Sequence, residues 1–175
     1  MKSSDNKLAF CWVILGVIGR LIPHIPNFTP MTSLSLFAGS KLSRATAFMT
    51  LFFALLVSDI LLAIINGYPV FSYWTLFSYS GFAIMVLAGS KLNANNSLTK
   101  TAIYITSSSA GFWLWTNFGV WLTSGLYSKN IVGLFNCYIA AIPFLRNEMV
   151  GDIVWGLVVF GAFSVAHKRV LHAQS

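Results

Sequence analysis

The residues able to do chemistry in this chain are few, and most of them interrupt apolar sequence. Arg20, Asp59, Asn117, Arg146, Glu148 and Asp152 each lie inside or beside a run of hydrophobic residues. An ionisable side chain in hydrocarbon costs roughly 2.5–3.5 kcal/mol on insertion scales, so each needs a partner, water or a ligand. Their types suit binding more than catalysis. Arg20 and Arg146 supply positive charge, Asp59 and Asp152 can orient them, and Asn27 and Asn117 offer directional hydrogen bonds. Serines 107–109 have no acid–base partner nearby in sequence and read as small-residue helix packing. The same holds for Gly16, Gly19, Gly111, Gly156 and Gly161. No His/Cys/Asp group has metal-ligand spacing, and no G-x-x-x-x-G-K-[ST] loop occurs, so no ATPase is expected within the chain. One acid–base pair can be drawn, His24 with Asp59, and it supports an enzyme reading with a lipid-like substrate.

Three stretches gather these groups. The first is residues 20–30, RLIPHIPNFTP. Pro23, Pro26 and Pro30 forbid a regular helix there. The next apolar run is so short that the segment must dip below the membrane interface, where irregular backbone survives only buried in protein or lining a wet cavity. Asn27 and Thr29 are placed to cap the following helix. Its free N–H groups would then face the cavity and suit an anionic or carbonyl ligand. Two compatible readings follow: Arg20 pairs with Asp59 over a tight outer turn, or the stretch lines a pocket. The second stretch is 112–121, FWLWTNFGVW. Trp113 and Trp115 offer stacking surface, although Trp113 and Trp121 also fit an interfacial aromatic belt. Asn117 bonds either across helices or to a ligand. The third is 136–147, NCYIAAIPFLRN, where Tyr138 adds a ring and Pro143 and Arg146 mark a second irregular segment.

The elements that must position these groups are membrane helices. Hydrophobic residues make up 57% of the chain and charged residues 9%, against roughly 25% charged in soluble domains. The surface therefore expects lipid as its solvent. The net charge of +7 does not point to nucleic acid, because Lys and Arg sit at the ends of apolar runs and form no patch. Cys11 and Cys137 are too few for a disulfide framework or a structural zinc site. Lys2 and Lys7 before an apolar run imitate a signal peptide, but no small-x-small cleavage site follows, so the segment reads as a retained helix.

Apolar runs cover residues 7–21, 31–40, 45–65, 70–89, 101–123 and 149–166. A spanning helix needs about 20 residues, so the second run is short. A further segment, 131–142, reads as an interfacial or re-entrant helix ending at Pro143. If all six runs cross and the N-terminus is inside, Lys2, Lys7, Lys41, Arg44, Lys91, Lys100, Lys168 and Arg169 are cytoplasmic, while Arg20, Lys129 and Arg146 are outside. That asymmetry is the positive-inside bias. The expectation is thus an all-α, single-domain bundle spanning 1–175, with both termini cytoplasmic. Asn66 to Pro69 reads as an outer turn, and Asn93 to Ser97 as an inner loop. On this topology Arg20, Asp59, Asn117, Arg146, Glu148 and Asp152 all fall in the outer half, above an apolar floor. AGSKL occurs at 38–42 and again at 88–92, a match too short to establish a repeat by itself.

The stretches at 20–30, 36–39, Ser58-Asp59, 116–121, 137–146 and Gly151-Asp152 resemble those of an uncharacterised family of small bacterial inner-membrane proteins. In size and helix count that family is similar to the substrate-binding S components of energy-coupling-factor (ECF) vitamin transporters. The resemblance implies six helices, a vitamin-like solute held near the outer face, and a separate energy-coupling module as partner. The first helix departs from S components in having Gly16 and Gly19 three apart, without a small-x-x-x-small row. The leading expectation is a non-enzymatic uptake protein whose partners are the bilayer and a small solute, with no cofactor and no nucleic acid. Its site is Arg20, His24, Asn27, Asp59, Trp113, Asn117, Tyr138, Arg146 and Asp152. The alternatives are a structural or assembly protein without ligand, and the His24–Asp59 enzyme.

Overall fold

A computed structural model describes residues 3–67, 69–92 and 98–172. The expected inner loop at 93–97 and the extreme termini lie outside these. The described residues form six α-helices and no strand: α1 (Ser3–Leu21), α2 (Met31–Lys41), α3 (Arg44–Asn66), α4 (Tyr73–Gly89), α5 (Leu98–Thr123) and α6 (Ile131–His172).

Their limits follow local chemistry. Ser43 caps α3 by accepting from the Thr46 amide at 3.3 Å. Gly67, at φ 71, ends it in the left-handed conformation that glycine tolerates. Ser72 precedes α4 and donates its backbone N–H to Thr75 Oγ1 at 3.0 Å. The start of α2 differs from expectation. Its cap is Pro30, with no side-chain cap; neither Asn27 nor Thr29 takes that role.

The helix at 131–142 is not separate. It runs through Pro143 into the sixth apolar run as one helix of 42 residues, roughly 63 Å long at 1.5 Å per residue. Pro143 leaves one helical carbonyl without its amide partner, and the flanking apolar residues continue the helix regardless. Two helical stretches are long and apolar enough to cross a membrane: Arg44–Asn66, and Ile131–Val165 within α6. In each, only 28% of the most apolar window is buried.

The bundle is an arc around α2. In space α1 packs on α3, α3 on α4, α4 on α5 and α5 on α6, while α2 touches all five. Every residue of α2 from Met31 to Ala38 is buried. Its core partners include Trp12, Leu51, Leu55 and Val86, and Trp12 Nε1 donates to the Leu34 carbonyl. At the lower end of the bundle, where α2 and α4 finish, Phe37 packs edge-on against Phe160 and Phe163. There α2 and α4 cross at two glycines. A Cβ on Gly39 would lie 2.0 Å from the Val86 carbonyl oxygen, and one on Gly89 would lie 2.1 Å from that of Leu36. The two contacts exchange under the relation that carries one AGSKL onto the other, so the short match marks a local two-fold crossing.

Among the described residues α1 and α6 make no packing contact. Residues 22–30 fill that seam at the upper end. Pro30 presses on Gly19, and Phe28 on Gly151. The turn that makes this fit carries Pro26 second and Asn27 third, closed by the Phe28 amide on the Ile25 carbonyl at 3.0 Å. Asn27 has φ 65, which asparagine tolerates better than most residues. Pro at the second position and a positive φ at the third are the preferences of a type II turn.

Candidate functional site

The upper half of the bundle holds a cavity of about 410 Å³ between α1, α3, α4, α5, α6 and the start of α2. One wall is a chain of polar contacts. The last turn of α1 brings Arg20 against α3, with Nη2 2.7 Å from Asp59 Oδ1. Arg20 Nη1 donates to Ser58 Oγ at 2.5 Å, and Ser58 donates onward to the Ala54 carbonyl at 2.7 Å. From α4, the Tyr79 hydroxyl donates to Asp59 Oδ2 at 2.7 Å. Both carboxylate oxygens of Asp59 are therefore engaged. His24 stands exposed at the rim, with Nδ1 2.9 Å from the Ile25 carbonyl. No His24–Asp59 hydrogen bond occurs among the described residues.

The opposite wall is acidic. Glu148 and Asp152, four apart on α6, share one face of the helix. Asp152 is 1% exposed. Its Oδ2 accepts from Ser109 Oγ at 2.6 Å, and Thr32, in the first turn of α2, lines the cavity with it. Ser33 Oγ donates to the Asp152 backbone carbonyl at 2.8 Å. The start of α2, expected to receive an anionic ligand, thus already faces a carboxylate of the chain itself. Glu148 is 4% exposed, and Asn27 of the proline-rich segment lines the cavity with it. Among the described residues the Glu148 Oε1 is buried without a hydrogen-bond partner. Between the two walls stand the rings of Trp74, Tyr79, Phe82 and Phe112, with Phe82 and Phe112 centred 4.4 Å apart.

A family model described as a family of unknown function (DUF6580) matches residues 2–174. The chain belongs to this family. No curated protein and no solved structure matches it. Membership in DUF6580 names no activity, so the chemistry of this DUF6580 chain has to be read from its own side chains.

Five of the nine sequence-derived site residues line the cavity together: Arg20, His24, Asn27, Asp59 and Asp152. The other four do not line it. Trp113, Asn117 and Tyr138 sit on the seam between α5 and α6. Trp113 Nε1 donates to the Ala141 carbonyl at 2.9 Å and the Tyr138 hydroxyl to the Leu114 carbonyl at 2.9 Å. Their rings are 5.2 Å apart. Asn117 bonds the Trp113 carbonyl of its own helix at 2.9 Å, and Cys137 Sγ donates to the Asn117 carbonyl at 3.4 Å. Arg146 is exposed on α6. In a continuous helix of 3.6 residues per turn it points roughly 200° away from Glu148, so Asp152 cannot orient it. With α6 starting at Ile131, Arg146, Glu148 and Asp152 lie in its middle, not at its start. Asp152 faces Ser109, roughly 20 Å below the end of α5, so the acids reach deeper than the outer-face placement expected from sequence.

Sequence reasoning left Glu148, Thr32, Tyr79 and Ser109 out of the site. For Glu148 the signal was present in its four-residue spacing from Asp152. Gly111 and Gly161, read as packing glycines, face open space: a Cβ at either position would have nothing within 4 Å. The seam residues give a direct check. Trp113→Phe removes one hydrogen bond and costs about 1 kcal/mol of stability, measured by thermal unfolding in detergent. An unchanged midpoint would mean that the bond from Trp113 to the Ala141 carbonyl does not hold the seam.

Proposed function

We propose that this chain is an integral membrane protein that holds a small solute in its upper cavity, as the receiving step of uptake. Several observations support a bilayer as its surroundings. Large apolar side chains such as Phe10, Ile64, Leu76 and Leu157 are between 67% and 75% exposed, and contiguous apolar surface of this kind is rare on soluble monomers. On this reading six helices cross, with the upper end outward. The lower end then collects Lys7, Lys41, Arg44, Lys91 and Lys100, as the positive-inside rule asks.

The observation that carries the binding reading is Glu148. A buried polar atom left unpaired costs about 1–3 kcal/mol, and this one borders a cavity lined by residues from all six helices and the proline-rich segment. A solute polar group supplies the missing partner. The chain carries no nucleotide-binding motif, so the solute's own gradient or a separate coupling module drives movement. The likeness in size and helix count to ECF S components favours a module.

A second reading has its own support. The Arg20–Asp59–Tyr79 chain is fully paired, as expected of interhelical glue in a structural or assembly protein. Native mass spectrometry of protein purified in mild detergent separates the two. The uptake reading expects a small molecule bound one to one, released when the protein is unfolded. A bare polypeptide mass, together with unfolding that no added solute shifts, leaves the structural reading standing alone.

A further inference from the structure

We infer that the solute is an organic cation, an ammonium or amidinium group carried on a flat or apolar body. The inference rests on the binding reading above and adds the charge class of the ligand.

Three features of the cavity converge on it. First, its one arginine is spent within the wall, since Arg20 is held by Asp59 and Ser58. An anion entering the cavity would find that cation already neutralised. Second, the remaining charged groups on the lining, Glu148 and Asp152, are carboxyls. Asp152 is answered by the hydroxyl of Ser109, and Glu148 Oε1 by no described atom. Their sign is opposite to the net charge of the whole chain, so it is a property of this place. A buried carboxylate is stabilised by a paired cation and penalises an incoming anion. Third, the space beside the carboxyls is bordered by aromatic rings, and ring faces attract cations.

Size and ligand geometry argue for an organic rather than a metal cation. A cavity of about 410 Å³ falls in the range of small-molecule sites. No group of three or more His, Cys, Asp or Glu converges among the described residues, and a divalent ion bound by protein oxygens wants more ligands than these two carboxyls provide.

The test uses the full chain in nanodiscs of zwitterionic phosphatidylcholine, titrated with benzyltrimethylammonium and, separately, phenylacetate, at matched ionic strength set by sodium chloride. Tryptophan fluorescence and the thermal midpoint are read together. The cation is expected to change both saturably, and phenylacetate neither. Glu148→Gln, which keeps the side-chain shape, weakens the cation by at least about tenfold, the size of a lost charge-assisted bond, while Trp113→Phe leaves it unchanged. If Glu148→Gln fails to fold, Asp152→Asn read in the same titration serves in its place. Saturable phenylacetate binding without cation binding overturns the charge assignment and leaves the solute-binding reading intact. So does a co-purified solute that is neutral or anionic. An equal shift from sodium chloride alone overturns the organic character. No response to either probe, with a bare mass in the native spectrum, overturns this inference and the binding reading together.

Discussion

Gly39→Ala and Gly89→Ala each lower the stability of the purified protein by about 3 kcal/mol, at the upper end of what overpacking costs. The new methyl group meets backbone in both cases, the Val86 carbonyl or the Leu36 carbonyl, at distances no real Cβ contact shows. A side chain can rotate aside, but a helical carbonyl cannot, so α2 and α4 must separate. Because α2 touches every other helix, the separation spreads through the core. Gly111→Ala and Gly161→Ala are the internal controls. A Cβ there meets nothing within 4 Å, and glycine in a helix interior costs roughly 0.5–1 kcal/mol relative to alanine, so these two stabilise. Thermal unfolding of the four variants in one detergent decides the matter. Should Gly39→Ala track Gly161→Ala, the close crossing does not exist.

Asp59→Leu is the second large effect. Arg20 and Asp59 are 20% and 16% exposed. Removing Asp59 leaves a half-buried guanidinium facing only two neutral acceptors, Ser58 Oγ and the Leu55 carbonyl, and breaking a buried pair in this way costs about 3–5 kcal/mol. Replacing both, as Arg20→Leu with Asp59→Leu, removes the orphan and restores most of the loss, because the attraction within a buried pair barely exceeds the cost of desolvating it. The comparison is a double-mutant cycle on the unfolding midpoint, run without solute. An additive result would mean that Arg20 and Asp59 act separately, and the polar wall of the cavity would have to be redrawn.

How much of this was legible beforehand depends on the range of the interaction. The six apolar runs correspond to the six helices because burial and backbone pairing act along the chain. The break in helix over residues 22–30 was legible too, since three prolines leave the backbone few alternatives. Pro143 misled. Its local preference against helix interior is real, but it was outweighed by a long apolar segment on either side, and that single error put Arg146 in the site and placed Glu148 and Asp152 too near a helix start. Contacts between distant helices left no signal at all. Nothing in the sequence ties Ser109 to Asp152 or Tyr79 to Asp59, because each bond depends on how two helices turn toward one another. Asn117 had two open readings, and its amide bonds within its own helix.

The brevity of α2 has a volumetric consequence. Eleven residues rise roughly 17 Å, while α4, the shortest of its neighbours, has 17 residues and rises roughly 26 Å. Its five neighbours stand taller, which leaves above Pro30 a column that no helix occupies, shared by the turn of residues 22–30 and the cavity. The chamber is part of that missing column. Its depth is fixed by the residue at which the central rod begins, so moving that proline by one helical turn would resize the chamber.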